Sequence, residues 1–254
     1  MMHLKNFAKS PTVEKSAYDN VEKDLQERLY ILFSEASKQK FATILVLEGW
    51  AGSGKGDLLK SITTRLDPRK LRVYSLENSE QNNKTHHFLH EYWNRLPLYS
   101  ENVIFDGSWY SRVSYEKQEK LINKREYQDA FKSILNFEET LHNDRYIILK
   151  YFLNISAKEQ KKRFKKASEE GKKWMVSESD WKQFENYSNY ERLFEEYLNK
   201  TDTQICPWNV VSAKNKYYCR IFVMESIIRI LEEKLNLDSK QMLLVLKSQE
   251  QQAI

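Results

Sequence analysis

Apolar positions recur at helical spacing between Ala17 and Lys38, through Tyr18, Val21, Leu25, Leu29, Leu32, Phe33 and Ala36, which predicts an amphipathic helix. A β-branched and apolar run, Thr43 to Leu47, follows and reads as a buried strand. A glycine-rich turn leads to a second helical stretch, Leu58 to Leu66, and Asp67-Pro68-Arg69 marks a turn. Further strands are expected at Leu71–Leu76, Asn102–Asp106, Tyr146–Leu153 and Trp208–Ser212. Helices are expected at Thr85–Asn94, stopped by Pro97, and at Glu126–Leu141. Ser156-x-x-Glu159 is a capping box that opens a basic helix broken at Gly171. Ser177-x-x-Asp180 starts another helix, running to about Asn199, and a closing helix spans Tyr217–Leu235. One more helix forms around Met242, Leu243 and Leu246. Residues 1–15 show no such pattern and read as a loosely held arm, and 77–84 is polar and reads as an exposed loop.

Strands alternating with helices define an α/β protein with a parallel sheet, about five-stranded, covered by helices on both faces. Ligands bind such sheets at the carboxyl ends of the strands, which brings the glycine turn and Asp106 to one edge. The expected organisation is an arm (1–15), one domain (16–235) with a lid near 156–200, and a tail (236–254).

The chemistry concentrates in the glycine turn. Gly49, four residues, Gly54 and Lys55 spell G-x-x-x-x-G-K, and four of the chain's 6 glycines lie in this turn: Gly49, Gly52, Gly54 and, just past the lysine, Gly56. Glycine lets main-chain N–H groups converge on an anion, and the helix behind contributes its positive end. Gly49, Gly52, Ser53, Gly54, Lys55 and Gly56 are therefore candidate phosphate ligands, with Lys55 on the terminal phosphate. Gly56 stands where this motif usually carries a Ser or Thr ligand for magnesium.

Asp106 ends a strand and is a candidate magnesium ligand, though the position also suits a helix N-cap. Arg112 has the reach for a phosphate, or is a surface arginine. The Lys- and Arg-rich segment 158–173 reads as a lid over phosphates, or as a solvated helix face. His86 and His90 share a helix face, but no third zinc ligand has suitable spacing. Trp93, Trp109, Trp174, Trp181 and Trp208 suit a core as well as a stacked base. Cys206 and Cys219 form no C-x-x-C motif, so a reduced, cytoplasmic setting is expected. The formal net charge of +5 favours anionic partners, no apolar run approaches the ~20 residues of a membrane span, and no nucleic-acid module is evident. The first 16 residues, MMHLKNFAKSPTVEKS, lack the apolar centre of a signal peptide.

Together Glu48-Gly49-Trp50 and the loop, Leu66-Asp67-Pro68-Arg69, Arg95-Leu96-Pro97, Phe105-Asp106 with Ser108-Trp109-Tyr110 and Arg112, Arg163-Phe164, Lys173-Trp174, Thr201-Asp202 and Pro207-Trp208 resemble the polyphosphate kinase 2 family over about residues 40–232. Glu-Gly-Trp looks most like the polyphosphate:AMP phosphotransferase branch. The resemblance implies a phosphate-loop kinase fold with a helical lid. It also implies magnesium-dependent phosphoryl transfer between inorganic polyphosphate and an adenine or guanine nucleotide, AMP or ADP favoured. It implies Lys55 on the transferred phosphate, Asp106 on magnesium or acceptor, and Arg112, Arg163, Lys162, Lys166 and Lys173 along the polyanion path. A homo-oligomer, dimer or tetramer, is expected, although the apolar faces of the first and last helices equally suit a core. The sequence departs from the family pattern at Ala51, where an aspartate is common, at Glu91 and at Gly107, where arginines are common. Asp57 is a candidate replacement for the missing acid. Two other readings fit these residues: a catalytically degenerate nucleotide- or polyphosphate-binding protein, and an ATP-dependent small-molecule kinase.

Overall fold

The computed structural model describes residues 1–75 and 85–252. The first helical pattern forms α1 (Lys15–Lys38) and the apolar run forms β1 (Ala42–Gly49). The glycine turn opens α2 (Lys55–Thr63), followed by β2 (Leu71–Ser75). One helical turn, α3 (His90–Trp93), precedes β3 (Asn102–Asp106). A 3-10 turn, Trp109–Val113, leads through α4 (Tyr115–Gln118) to α5 (Lys124–His142) and β4 (Tyr146–Asn154). The lid region comprises α6 (Ala157–Glu169), α7 (Glu178–Glu185) and α8 (Tyr187–Thr201). β5 (Trp208–Ser212), α9 (Lys216–Leu235) and α10 (Ser239–Gln252) follow.

The five strands pair in parallel in the order β2-β3-β1-β4-β5. β1 is central, and Ala42–Leu47 is buried without a break, as a strand covered on both faces requires. Neighbouring residues of β4 show the two faces. Lys150 reaches Glu138 of α5 at 2.7 Å, whereas the Tyr151 hydroxyl meets Ser226 of α9 at 3.0 Å. The chain runs from β1 outward to β2 and returns through β3, then crosses to β4. The crevice beside the end of β1 is thus the switch point where such sheets bind ligands. The apolar faces of α1 and α9 pack on one another, and those residues are spent on the core. Among the described residues, no helix is long and apolar enough to cross a membrane.

Several elements differ from expectation. The arm is held rather than loose: Leu4 is 2% exposed in a 3-10 turn (Leu4–Phe7), packed in the core. The helix expected at Thr85–Asn94 contracts to the single turn of α3, with turns before it. The helix expected from Ser177 to Asn199 breaks at Asn186, whose side-chain amide donates to the Lys182 carbonyl and ends α7. At Ser156 only half of the capping box forms, because Glu159 turns instead to Arg163. The loop expected at 77–84 lies outside the described residues.

Candidate active site

Register brings the two key strand ends together. Leu47 of β1 lies beside Asp106 of β3, and the Gly107 N–H donates to the Leu47 carbonyl at 3.1 Å. Glu48, Gly49 and the phosphate loop then rise from β1 next to Asp106. Gly49 has φ +139°, and a side chain there would strike the Leu153 carbonyl oxygen at 2.4 Å. The loop ends at Gly54, which gives α2 no side-chain cap. The first N–H groups of α2 are therefore left for an anion, with Lys55 beside them.

The back of the loop is bolted to the lid. Trp50 is fully buried, stacked on Tyr187 at 3.8 Å with ring planes 4° apart, and its indole N–H donates to Asn154 Oδ1 at 2.9 Å. The Ala51 N–H donates to Gln183 at 2.8 Å, and its carbonyl accepts from Gln160 at 3.0 Å. A side chain at Gly52 would meet Phe164 of α6 at 2.8 Å.

Arg163 is fully engaged with protein partners. A guanidinium has five N–H groups, and here they meet Glu159 (2.9 Å) and the carbonyls of Gly52 (2.9 Å), Ser53 (3.0 Å), Ala213 (2.6 Å) and Lys214 (3.2 Å). Arg163 thus braces the outside of the loop and joins it to the start of α9. Arg112 is likewise engaged, bonded to Glu116 and 3.6 Å from Glu126, with its guanidinium over Phe88. Its Nε is buried without a partner. Lys162, Lys166 and Lys173 are exposed on the lid, with Lys166 3.6 Å from Glu170.

Two carboxylates flank the loop. Asp106 Oδ1 is buried and has no hydrogen-bond partner. Glu48 accepts from the Ser108 hydroxyl at 2.7 Å. Burial pushes the Glu48 carboxyl up to about 7; Asp106 adds to the rise, and Ser108 and Lys55 oppose it. An orphaned acid oxygen beside a second acid suits a hard, oxygen-seeking cation such as magnesium. Asp57 pairs with Arg220 of α9 at 3.1 Å. Glu91 is occupied by Arg95 at 2.6 Å. His86 stacks on His90 at 4.3 Å, and among the described residues no three ligands gather around a metal position.

The segment after Asp106 is anchored by a buried network. Lys150, with no exposed surface, donates to Glu138 (2.7 Å), the Tyr110 hydroxyl (3.0 Å) and the Thr201 carbonyl (2.9 Å). Glu138 also accepts from Trp109 Nε1 and from the Tyr110 hydroxyl. All three ammonium donors are used, so the charge is fully compensated. Of the tryptophans, Trp50 and Trp109 are core residues and Trp208 is 7% exposed, while Trp174 is 81% exposed on the lid.

Known proteins match this arrangement. The polyphosphate kinase 2 family pattern matches residues 12–239. The polyphosphate:AMP phosphotransferase of Pseudomonas syringae pv. tomato is 27% identical over 216 residues, 85% of this chain and 43% of that protein. The ADP-polyphosphate phosphotransferase 3 of Rhizobium meliloti is 30% identical over 205 residues, 80% of this chain and 72% of that protein. The crystal structure of polyphosphate kinase 2 from Arthrobacter aurescens TC1 superposes with a TM-score of 0.83 at 25% identity, covering 93% of this chain and 88% of that one. The chain spans less than half the length of the polyphosphate:AMP phosphotransferases it matches. A phosphate loop at the switch point of a parallel sheet, an acid at the end of β3 and a helical lid over the loop agree with these matches: the chain belongs to the polyphosphate kinase 2 family.

Proposed function

We propose that this protein transfers a phosphoryl group between inorganic polyphosphate and a nucleoside mono- or diphosphate, with AMP or ADP as the favoured acceptor. The observation that carries the reading is the orphaned Asp106 carboxylate oxygen beside Glu48 and the phosphate loop. Such a reaction needs positioning and charge neutralisation more than covalent chemistry. Loop N–H groups and the start of α2 bind the phosphate to be transferred, and Lys55 neutralises its oxygens. Asp106, helped by Glu48, would hold magnesium, which would neutralise phosphate charge there. The exposed lid lysines, Lys162, Lys166 and Lys173, supply a positive surface for the polyanion. Names of relatives support the substrate class: polyphosphate with AMP, ADP or GDP. A soluble cytoplasmic homo-oligomer suits these highly charged substrates.

One observation favours a second reading, a binding protein without turnover. Arg112 and Arg163 are both committed to protein partners, so the loop has fewer cations for a transition state. The test is incubation with long-chain polyphosphate, magnesium and AMP, ADP, GMP or GDP, following product nucleotides. Product from any acceptor supports transfer. Binding of polyphosphate or nucleotide without product supports the second reading, and turnover only with ATP and a metabolite overturns both.

A further inference from the structure

The family pattern begins at residue 12, yet the residues before it are tied to the phosphate loop. The tie is Asn154, the last residue of β4, 2% exposed. Its side-chain amide is used at both ends. Oδ1 accepts from the Trp50 indole at 2.9 Å, and Nδ2 donates to the Leu4 carbonyl at 2.8 Å. An indole N–H only donates and a carbonyl only accepts, so no other orientation of the amide serves both. The Asn154 carbonyl accepts in turn from Ala213, whose own carbonyl is gripped by Arg163.

The same segment grips the root of the lid. The Leu4 N–H donates to Glu195 at 2.8 Å, and Met2 exchanges two main-chain bonds with the Asn199 side chain, at 2.6 and 2.8 Å. Both partners lie on α8, the helix whose Tyr187 stacks on Trp50. Further along, Asn215, which caps α9, is held by Ser10 and by the Val13 carbonyl. Leu4 pins the middle of this segment in the core.

We propose that residues 2–13 form a positioning strap, with Asn154 as its positioning residue. The strap fixes Trp50 and the base of α8 together and so holds the phosphate loop in its binding shape. It touches no phosphate-binding atom. Its effect is on loop order, which stands whether or not the chain turns over polyphosphate.

The test compares the full chain with a chain lacking residues 1–11, by amide hydrogen exchange across residues 49–54. Losing one buried hydrogen bond to Asn154 and the Leu4 anchor is expected to speed loop exchange about tenfold or more. A synthetic peptide of residues 1–13 is expected to restore protection, and Lys5→Ala, an exposed change in the same segment, to leave it intact. In transfer assays the shortened chain is expected to show KM for polyphosphate raised more than kcat is lowered. If circular dichroism shows the shortened chain unfolded, Leu4→Ser in the full chain gives the same exchange readout. Unchanged exchange at 49–54 in a folded, shortened chain overturns the proposal. So does loss of protection spread evenly over all elements, which marks general destabilisation. Absent turnover with altered loop exchange leaves the strap standing and removes only the catalytic reading.

Discussion

Ser108 donates its hydroxyl to the Glu48 carboxylate at 2.7 Å, tying the end of β1 to the segment that follows Asp106. That contact holds an acid beside Lys55 and Asp106 in a place where burial resists its ionisation. The folded-state value near 7 exceeds the ordinary 4.5, so the folded protein binds the extra proton between them. Stability therefore falls as pH rises from about 4.5 to about 7 and stays lowered above that, by up to about 3 kcal/mol. Glu48→Gln is expected to be more stable than the parent at pH 8 without magnesium, with the gain fading toward pH 4.5. Thermal melts across this range check it. A gain independent of pH would show that Glu48 does not titrate there.

Asp106→Asn is expected to lower transfer at least about a hundredfold while leaving stability equal or higher. The substitution replaces a carboxylate whose Oδ1 is buried without a partner. Paired initial-rate and urea-denaturation measurements separate the two effects. Parental rates in this variant would remove Asp106 from the site.

Lys55→Ala is expected to reduce the rate by a similar factor of about a hundred with little effect on folding. No hydrogen bond or ion pair involves its ammonium among the described residues. Isothermal titration with polyphosphate gives the binding side of the same loss. Undiminished binding and rate would place the transferred phosphate elsewhere.

Arg163→Lys is expected to behave nearly like Arg163→Ala, because an ammonium cannot reproduce a planar fork that meets four carbonyls and Glu159. Both are expected to cost about 2–3 kcal/mol in denaturation. Full recovery by lysine would mean that charge alone matters, as a direct phosphate contact requires.

Lys150→Met is expected to cost about 3–5 kcal/mol, since it strands Glu138 as an unpaired buried charge. Equilibrium unfolding measures this directly. A cost under about 1 kcal/mol would mean that the surrounding network compensates Glu138 without Lys150.

The central strands were legible because they are short buried runs, and Asn102–Asp106 and Trp208–Ser212 match the expected bounds residue for residue. The glycine loop was legible because its spacing serves one purpose. The lid read as two helices rather than three because Asn186 sits within continuous helical periodicity. The break coincides with the Asn186 side chain capping the Lys182 carbonyl and with Tyr187 stacking on Trp50, a contact 137 positions away that no local pattern encodes. The roles of Arg163 and Arg112 were hidden for the same reason. A sequence shows that a cation is present and, for Arg163, offers Glu159 one turn away, whereas the four carbonyls that claim the rest of its fork come from distant segments. Glu48 was visible within Glu-Gly-Trp, but its placement beside Asp106 follows from the pairing of β1 with β3.

The bolting of α6 to the loop sets where the lid is able to hinge. A flap swinging from its root would have to break the Arg163 fork, the Gln160 bond to Ala51 and the Phe164 contact at Gly52 together. Beyond Phe164 the chain carries mostly exposed residues as far as Gly171, which has φ +71°, and Trp174. Any motion that keeps these contacts is thereby confined to a small tip, and the phosphate cradle holds its shape while that tip moves.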